Sequence, residues 1–121
     1  MSQGDRLLQS ALGYIASGWP VLPLHGVSPG GRCSCGGDEC LKPGKHPRTL
    51  HGVHDAARDP AAVRRWWTRW PTANVGIATG SASGLVVLDV DPRNGGEEGL
   101  HELETRIGAL PETPVVLTGG G

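Results

Sequence analysis

The chain has 121 residues, enough for one domain. Its 11 Lys and Arg offset 12 Asp and Glu, so no strong overall field draws it to nucleic acid or membrane, and such binding would need a local patch. The longest apolar run, Leu85 to Leu88, is far below the roughly 18 residues of a membrane span, the opening Met-Ser-Gln-Gly-Asp-Arg lacks a signal peptide's apolar core, and three cysteines are an odd number for a disulfide framework, which together point to a cytoplasmic chain.

The first predicted element is a helix over about Asp5 to Ser17. Leu8, Ala11, Leu12 and Ile15 form one apolar stripe, and Gly18 is its natural stop. Trp19 to Leu24 reads as a short strand weakened by Pro20 and Pro23. An irregular region, residues 25–55, then carries all three cysteines and four of the five histidines; a loop of that length needs a function or a metal clip. Asp59 and Pro60 start a second helix, with Val63, Trp66, Trp67 and Trp70 on its apolar side, Arg64, Arg65 and Arg69 on the other, and Pro71 at its end. Asn74 to Thr79 and Gly84 to Asp91 are predicted strands, the latter apolar from Leu85 to Leu88 and so expected to be buried on both faces. Gly95-Gly96 opens a third helix with Glu97 and Glu98 in its first turn, a buried stripe of Leu100, Leu103 and Ile107, and Gly108 as stop. Pro114 to Thr118 begins a last strand that runs into Gly119-Gly120-Gly121. This order predicts an α/β or α+β domain cut part way.

Asp89 and Asp91 alternate with Val90, so on a strand both carboxylates face one side. Hard divalent cations such as Mg²⁺ or Mn²⁺ relieve that repulsion, and a two-metal arrangement of this kind suits phosphoryl or nucleotidyl transfer. The other reading is a strand end that meets solvent and turns at Pro92. Cys33, Cys35, Cys40 and His46, spaced C-x-C-x4-C-x5-H, are the thiolate and imidazole ligands of a closed, structural zinc site, with His51 or His54 as substitutes for His46. The alternative is three reduced thiols.

Charge is uneven. Seven bases (Lys42, Lys45, Arg48, Arg58, Arg64, Arg65, Arg69) stand against two acids between residues 42 and 69, whereas five acids stand against Arg106 alone between residues 97 and 112. The basic stretch could hold a phosphate backbone or a triphosphate, or be a solvated face. Lys45, between Gly44 and His46 in a constrained turn, can be aimed. The tryptophans fit core at helical spacing better than base stacking.

Taken together, Gly18-Trp19-Pro20-Val21, Pro43-Gly44-Lys45-His46-Pro47, Trp66-Trp67, Trp70-Pro71, Asn74-Val75-Gly76-Ile77-Ala78-Thr79-Gly80, Ser83 to Asp91, Asp91-Pro92-Arg93-Asn94-Gly95-Gly96 and Thr118-Gly119-Gly120-Gly121 resemble the bifunctional DNA primase/polymerase (prim-pol) N-terminal domain of the archaeo-eukaryotic primase superfamily. The resemblance implies a primase/polymerase-like mixed sheet flanked by helices, with residues 1–121 as the N-terminal part of a single domain, the loop of residues 25–55 inserted, and the C-terminal remainder absent. It implies DNA primase and DNA polymerase activity in replication, with Asp89 and Asp91 binding two Mg²⁺ or Mn²⁺ ions. Lys45, Arg48, Arg65, Arg93, Gly119 and Gly120 are the expected nucleotide- and DNA-binding residues. DNA template and primer, nucleoside triphosphates and a helicase are the implied partners. The family pattern continues past the glycine-rich strand end with a histidine and a further carboxylate that this sequence does not reach. Zinc does not follow from the resemblance.

Two other readings compete. Asp-x-Asp after an apolar strand also marks haloacid-dehalogenase-like phosphatases, although Arg93 stands where those carry Thr or Val. A non-catalytic nucleic-acid-binding module built on the cysteine loop and the basic helix is the second.

Overall fold

The structure, a computed structural model, describes residues 1–118. Helix α1 spans Gln3–Ala16. It begins two residues before the sequence pattern suggests because Ser2 and Asp5 form a reciprocal cap. Asp5 N–H donates to Ser2 Oγ at 3.1 Å and Ser2 N–H to Asp5 Oδ2 at 3.0 Å. Strand β1 (Val21–Leu24) pairs antiparallel with β2 (Asn74–Ile77), register Val21 to Ile77 and Leu24 to Asn74. Helix α2 (Pro60–Arg69) is capped by Asp59, whose Oδ1 accepts from Ala61 N–H at 3.0 Å. Short 3₁₀ turns cover Gly52–Asp55 and Pro92–Asn94, and helix α3 spans Gly96–Ile107. Among the described residues the chain is thus a small α+β fold of three helices and a two-stranded sheet, in the expected class.

Pro23 is tolerated in β1 because of its direction. Val21 exchanges both backbone bonds with Ala57, and Pro23 C=O accepts from Arg48 N–H at 3.0 Å. Residues two apart on a strand point the same way, so the missing Pro23 N–H faces this irregular edge and the β2 ladder is intact. His25 N–H donates to His46 C=O at 2.8 Å on that edge.

The chain divides into two compact units, Met1–Val86 and Val87–Gly121. The core of the first is Ala11, Val21, Val63, Trp67 and Ala73, with Leu7, Leu8, Leu12, Ile15, Trp66, Trp70, Val75 and Ile77 packed around it. The tryptophans therefore serve as core, as their spacing suggests. Trp67 Nε1–H donates to Ala73 C=O at 3.0 Å, which satisfies its buried polar atom.

Three expectations fail. Residues 84–91 form no strand beyond an isolated bridge between Gly80 and Leu85, and Val86 and Val87 are 94% and 70% exposed. A strand is stabilised by its ladder and its covered faces, and among the described residues nothing pairs with 86–91. Residues 114–118 likewise form no strand, with Val115, Val116 and Leu117 exposed. The α3 stripe is not buried: Leu100 is half-covered, and Leu103 and Ile107 are exposed. The helix itself forms because its signals are local. Gly95 adopts φ +74° at its start, Glu97 and Glu98 lie in its first turn, and Gly108 ends it.

Candidate functional site

The first unit closes the cysteine loop on itself and on the sheet. Val27 bridges Cys33, and Ser34 N–H donates to Gly26 C=O at 2.8 Å, which turns Cys33 back toward the end of β1. Pairing of His46 with His25 brings the imidazole to the same place. Between them Gly44 is buried, at φ +71°, and a Cβ there would lie 2.5 Å from Val27 Cγ2, so this position requires glycine. Asn74 locks the turn from β2: its Nδ2–H₂ donates to Gly44 C=O at 2.9 Å and to His25 C=O at 3.2 Å.

The outcome is a cluster of Cys33, Cys35, Cys40 and His46 whose ligand atoms all lie within 4.8 Å of one another. Such a group can bind a metal such as zinc. Its dimensions fit. Zinc bonds of about 2.3 Å to sulfur and about 2.0 Å to nitrogen at the tetrahedral angle place sulfur and nitrogen about 3.5 Å apart. His46 Nε2 lies 3.4 Å from Cys33 Sγ and 3.5 Å from Cys40 Sγ. Backbone N–H groups also point at sulfur, from Gly44 to Cys33 at 3.3 Å and from Gly37 to Cys35 at 3.4 Å. His51 is not part of the cluster; its N–H and ring face Asp55 at 2.8 and 3.3 Å. His54 also stays outside.

The thiols respond to this crowding. Burial alone would raise the Cys33 thiol, but the N–H groups of Cys35 and Gly44, with Cys35 and His46 side chains, outweigh it and bring it down to about 6. At Cys40 a Lys42 N–H lowers the thiol, yet burial and the neighbouring Cys35 and Cys33 sulfurs outweigh it and the group moves up. Adjacent thiolates that cannot all ionise are the situation a bound cation relieves.

The sequence alone does not single out the support around this cluster. Ser34 Oγ accepts from Gly26 N–H at 3.0 Å and from Arg48 Nη2–H at 2.8 Å, so its own proton goes to His25 Nδ1 at 2.8 Å. That assignment makes His25 the Nε2–H tautomer. Burial, Arg48 and His46 lower its pKa, which agrees. The His25 and His46 rings lie 4.3 Å apart. Ser34 and Asn74 act over such sequence distances that only the bare type of residue, a hydroxyl beside Cys33 and an amide opening a strand, hints at their roles.

The second unit holds the acidic pair. Asp89 is exposed and Asp91 half-buried. Asp91 caps the Pro92–Asn94 turn: Oδ1 accepts from Arg93 N–H at 3.0 Å and Arg93 Nε–H at 3.3 Å, and Oδ2 from Asn94 Nδ2–H at 2.7 Å. The Arg93 N–H, then Asn94 and the Arg93 side chain, hold its carboxyl below the usual range. Three of roughly four lone-pair positions are filled, which leaves one on Oδ2 for a metal. Gly96 N–H donates to Asp91 C=O at 2.8 Å, and a Cβ on Gly96 would clash with the backbone of Asp91. The turn is thus as dependent on glycine as the cysteine loop.

The basic residues separate into committed and uncommitted. Arg48 is half-buried, bound to Ser34 and 5.3 Å from the Trp70 ring centroid. Arg93 is paired with Asp91. Arg58 donates to Gly18 C=O at 2.7 Å and to Ala82 C=O, a structural role. Lys45 and Arg65 are exposed, and among the described residues neither side chain has a hydrogen bond or ion pair. Gly119 and Gly120 lie outside the described residues. Among the described residues no helix is long and apolar enough to cross a membrane.

Comparison with known proteins adds the family. No curated protein and no solved structure is significantly similar to the chain. A family model described as bifunctional DNA primase/polymerase, N-terminal, matches residues 11–121, a span that takes in the cysteine loop, α2, the Asp89–Asp91 pair and the glycine turn after it. With all but its first ten residues under that match, the chain belongs to the bifunctional DNA primase/polymerase N-terminal family.

Proposed function

We propose that this protein carries out template-directed nucleotidyl transfer in DNA replication, as a DNA primase/polymerase, with residues 1–121 contributing to one such domain. The observation that carries this reading is the family match over residues 11–121, with the Asp-x-Asp sequence of Asp89 and Asp91 inside it. Membership in a nucleotidyltransferase family sets the phosphatase alternative aside. Asp89 and Asp91 are the residues that would hold Mg²⁺ or Mn²⁺; the exposed Asp89 and the remaining Oδ2 lone pair of Asp91 suit a hard cation. Two such ions would supply charge neutralisation at the attacking oxygen and the leaving pyrophosphate. Lys45 and Arg65, exposed and without protein acceptors, meet phosphates, together with Arg48, Arg93 and the Gly119-Gly120 backbone. Cys33, Cys35, Cys40 and His46 hold zinc as a structural clip, since four protein ligands leave no open position for catalysis. DNA template and primer and nucleoside triphosphates are the substrates, a helicase is a partner, and the cytoplasm is the place of action.

The test is incorporation of labelled dNTP on a primed DNA template with Mg²⁺ or Mn²⁺. Wild-type protein should extend the primer, and Asp89→Ala and Asp91→Ala should each reduce the rate by several orders of magnitude. Incorporation at wild-type rate by Asp89→Ala overturns the reading. A second reading, DNA binding without catalysis, is favoured by Lys42, Lys45, Arg64 and Arg65, none of which has a side-chain partner among the described residues. It requires salt-sensitive DNA binding with no incorporation by the wild-type protein.

A further inference from the structure

Within Met1–Val86 nine Lys and Arg stand against five Asp and Glu. Of the five acids only Asp38 takes one of these bases, Arg32, as an ion-pair partner. Asp5 is bound to Ser2, Asp38 to Arg32, Asp55 to His51 and Asp59 to the start of α2. Only Glu39 is left over. Among the described residues, Arg48 and Arg69 near the end of α2 have no carboxylate ion-pair partner.

Two of them share one ring. The guanidinium carbons of Arg48 and Arg69 lie 5.3 and 4.9 Å from the Trp70 ring centroid. The two charges are therefore within about 10 Å of each other, one Debye length at 0.1 M salt. They should repel, and no ion pair among the described residues relieves them. What holds them is the indole face on one hand and the cysteine loop on the other: Arg48 follows His46 by two residues and donates to Ser34, next to Cys33. A guanidinium against an aromatic ring keeps its N–H edge available for oxygen acceptors. Among the described residues Arg69 makes no hydrogen bond and no ion pair, so its N–H groups are open to an external acceptor.

We infer that Arg48 and Arg69, braced on Trp70, form a clamp for the phosphodiester backbone of DNA, and that the cysteine loop positions the Arg48 half of it. This rests on the DNA-directed reading above and assigns a surface to it. A backbone is the fitting anion because the charge continues outward and is not enclosed. Arg65 lies one helical turn before Arg69, and Lys45 lies three residues before Arg48, both exposed. Ser34 is a positioning residue here, and Trp70 a platform for the two cations.

The experiment is fluorescence anisotropy of a labelled DNA duplex, titrated with the protein between about 50 and 200 mM salt. It is done without nucleotide or Mg²⁺, so it does not depend on the acidic pair. Arg69→Gln, on an exposed side chain with no hydrogen bond, should weaken binding roughly eightfold at 0.1 M salt and lower the slope of log affinity against log salt by about 0.9, the value for one phosphate contact on duplex DNA. Arg69→Lys should keep the slope, since it keeps the charge. Arg48→Gln and Ser34→Ala are read with zinc content and helical circular dichroism on the same samples; a lower slope with both retained supports the clamp. An Arg69→Gln protein with wild-type slope and affinity overturns it. If that happens while wild-type protein still incorporates dNTP, the clamp fails and the activity stands. If the slope falls but no incorporation occurs, the clamp stands and the activity fails.

Discussion

Residues 25–55 and residues 89–96 are both built on tight glycine turns, but the bonds that hold them differ in reach. The cysteine loop is fastened to the sheet by Asn74, which bonds carbonyls 30 and 49 residues away, and by backbone pairing of His25 with His46. The acidic turn is held by its own neighbours: Asp91 bonds Arg93, Asn94 and Gly96, all within five residues of it. The loop cluster therefore depends on the first unit's fold, and the acidic turn depends on its own sequence. Charge follows the same division. Residues 1–86 carry nine bases and five acids, and residues 87–121 two bases and seven acids.

The largest test of this contrast is loss of the metal. Cys33→Ser removes the most buried ligand, and zinc measured by mass spectrometry should fall from about one per chain to near zero after mild chelation. Structural zinc contributes on the order of 10 kcal/mol in small zinc domains. Hydrogen exchange should then rise across residues 25–48, whereas the amides of residues 91–96 should be unchanged. Next, Trp67→Ala should cost about 3–5 kcal/mol in denaturant unfolding, from lost core volume and the Ala73 hydrogen bond, and should release zinc as the sheet end loosens.

Two glycine substitutions sharpen the comparison. Gly44→Ala should cost about 1–3 kcal/mol, because it combines a positive φ with a close approach to Val27. It should lower zinc affinity and leave the Asp91 turn alone. Gly96→Ala meets backbone, not a movable side chain, and should disrupt the Asp91 cap while zinc content stays constant.

The smallest effect is on pH. The folded-state pKa of Asp91 is lowered, so its contribution to the turn is full above the ordinary carboxylate pKa and is lost as pH falls through the lowered value. Side-chain carbonyl NMR of Asp91 should report a midpoint below that of an unstructured aspartate, and Asn94→Ala should move it back up. A midpoint at the ordinary value would remove the cap from the account.

Much of this molecule is legible along the chain because the forces concerned are local. Asp59-Pro60 starts α2, Gly18 and Gly108 end helices, and the 3.6-residue stripe of Val63 and Trp67 marks the core; each depends on residues within a turn or two. The donor set Cys33, Cys35, Cys40 can also be read from its spacing. The choice of His46 over His51 cannot, because both are close in sequence and what separates them is a strand edge for one and Asp55 for the other. Nor is the fate of residues 84–91 and 114–118 a property of their composition. Valines and leucines favour a strand, but a strand exists only where a neighbour accepts its hydrogen bonds and covers its faces. By itself the sequence determined the helices, the metal-binding residue types and the family. Tertiary structure alone decided which histidine joins the cysteines, which arginines share the Trp70 ring, and which apolar run becomes a strand, because each of those is an outcome of pairing between distant segments.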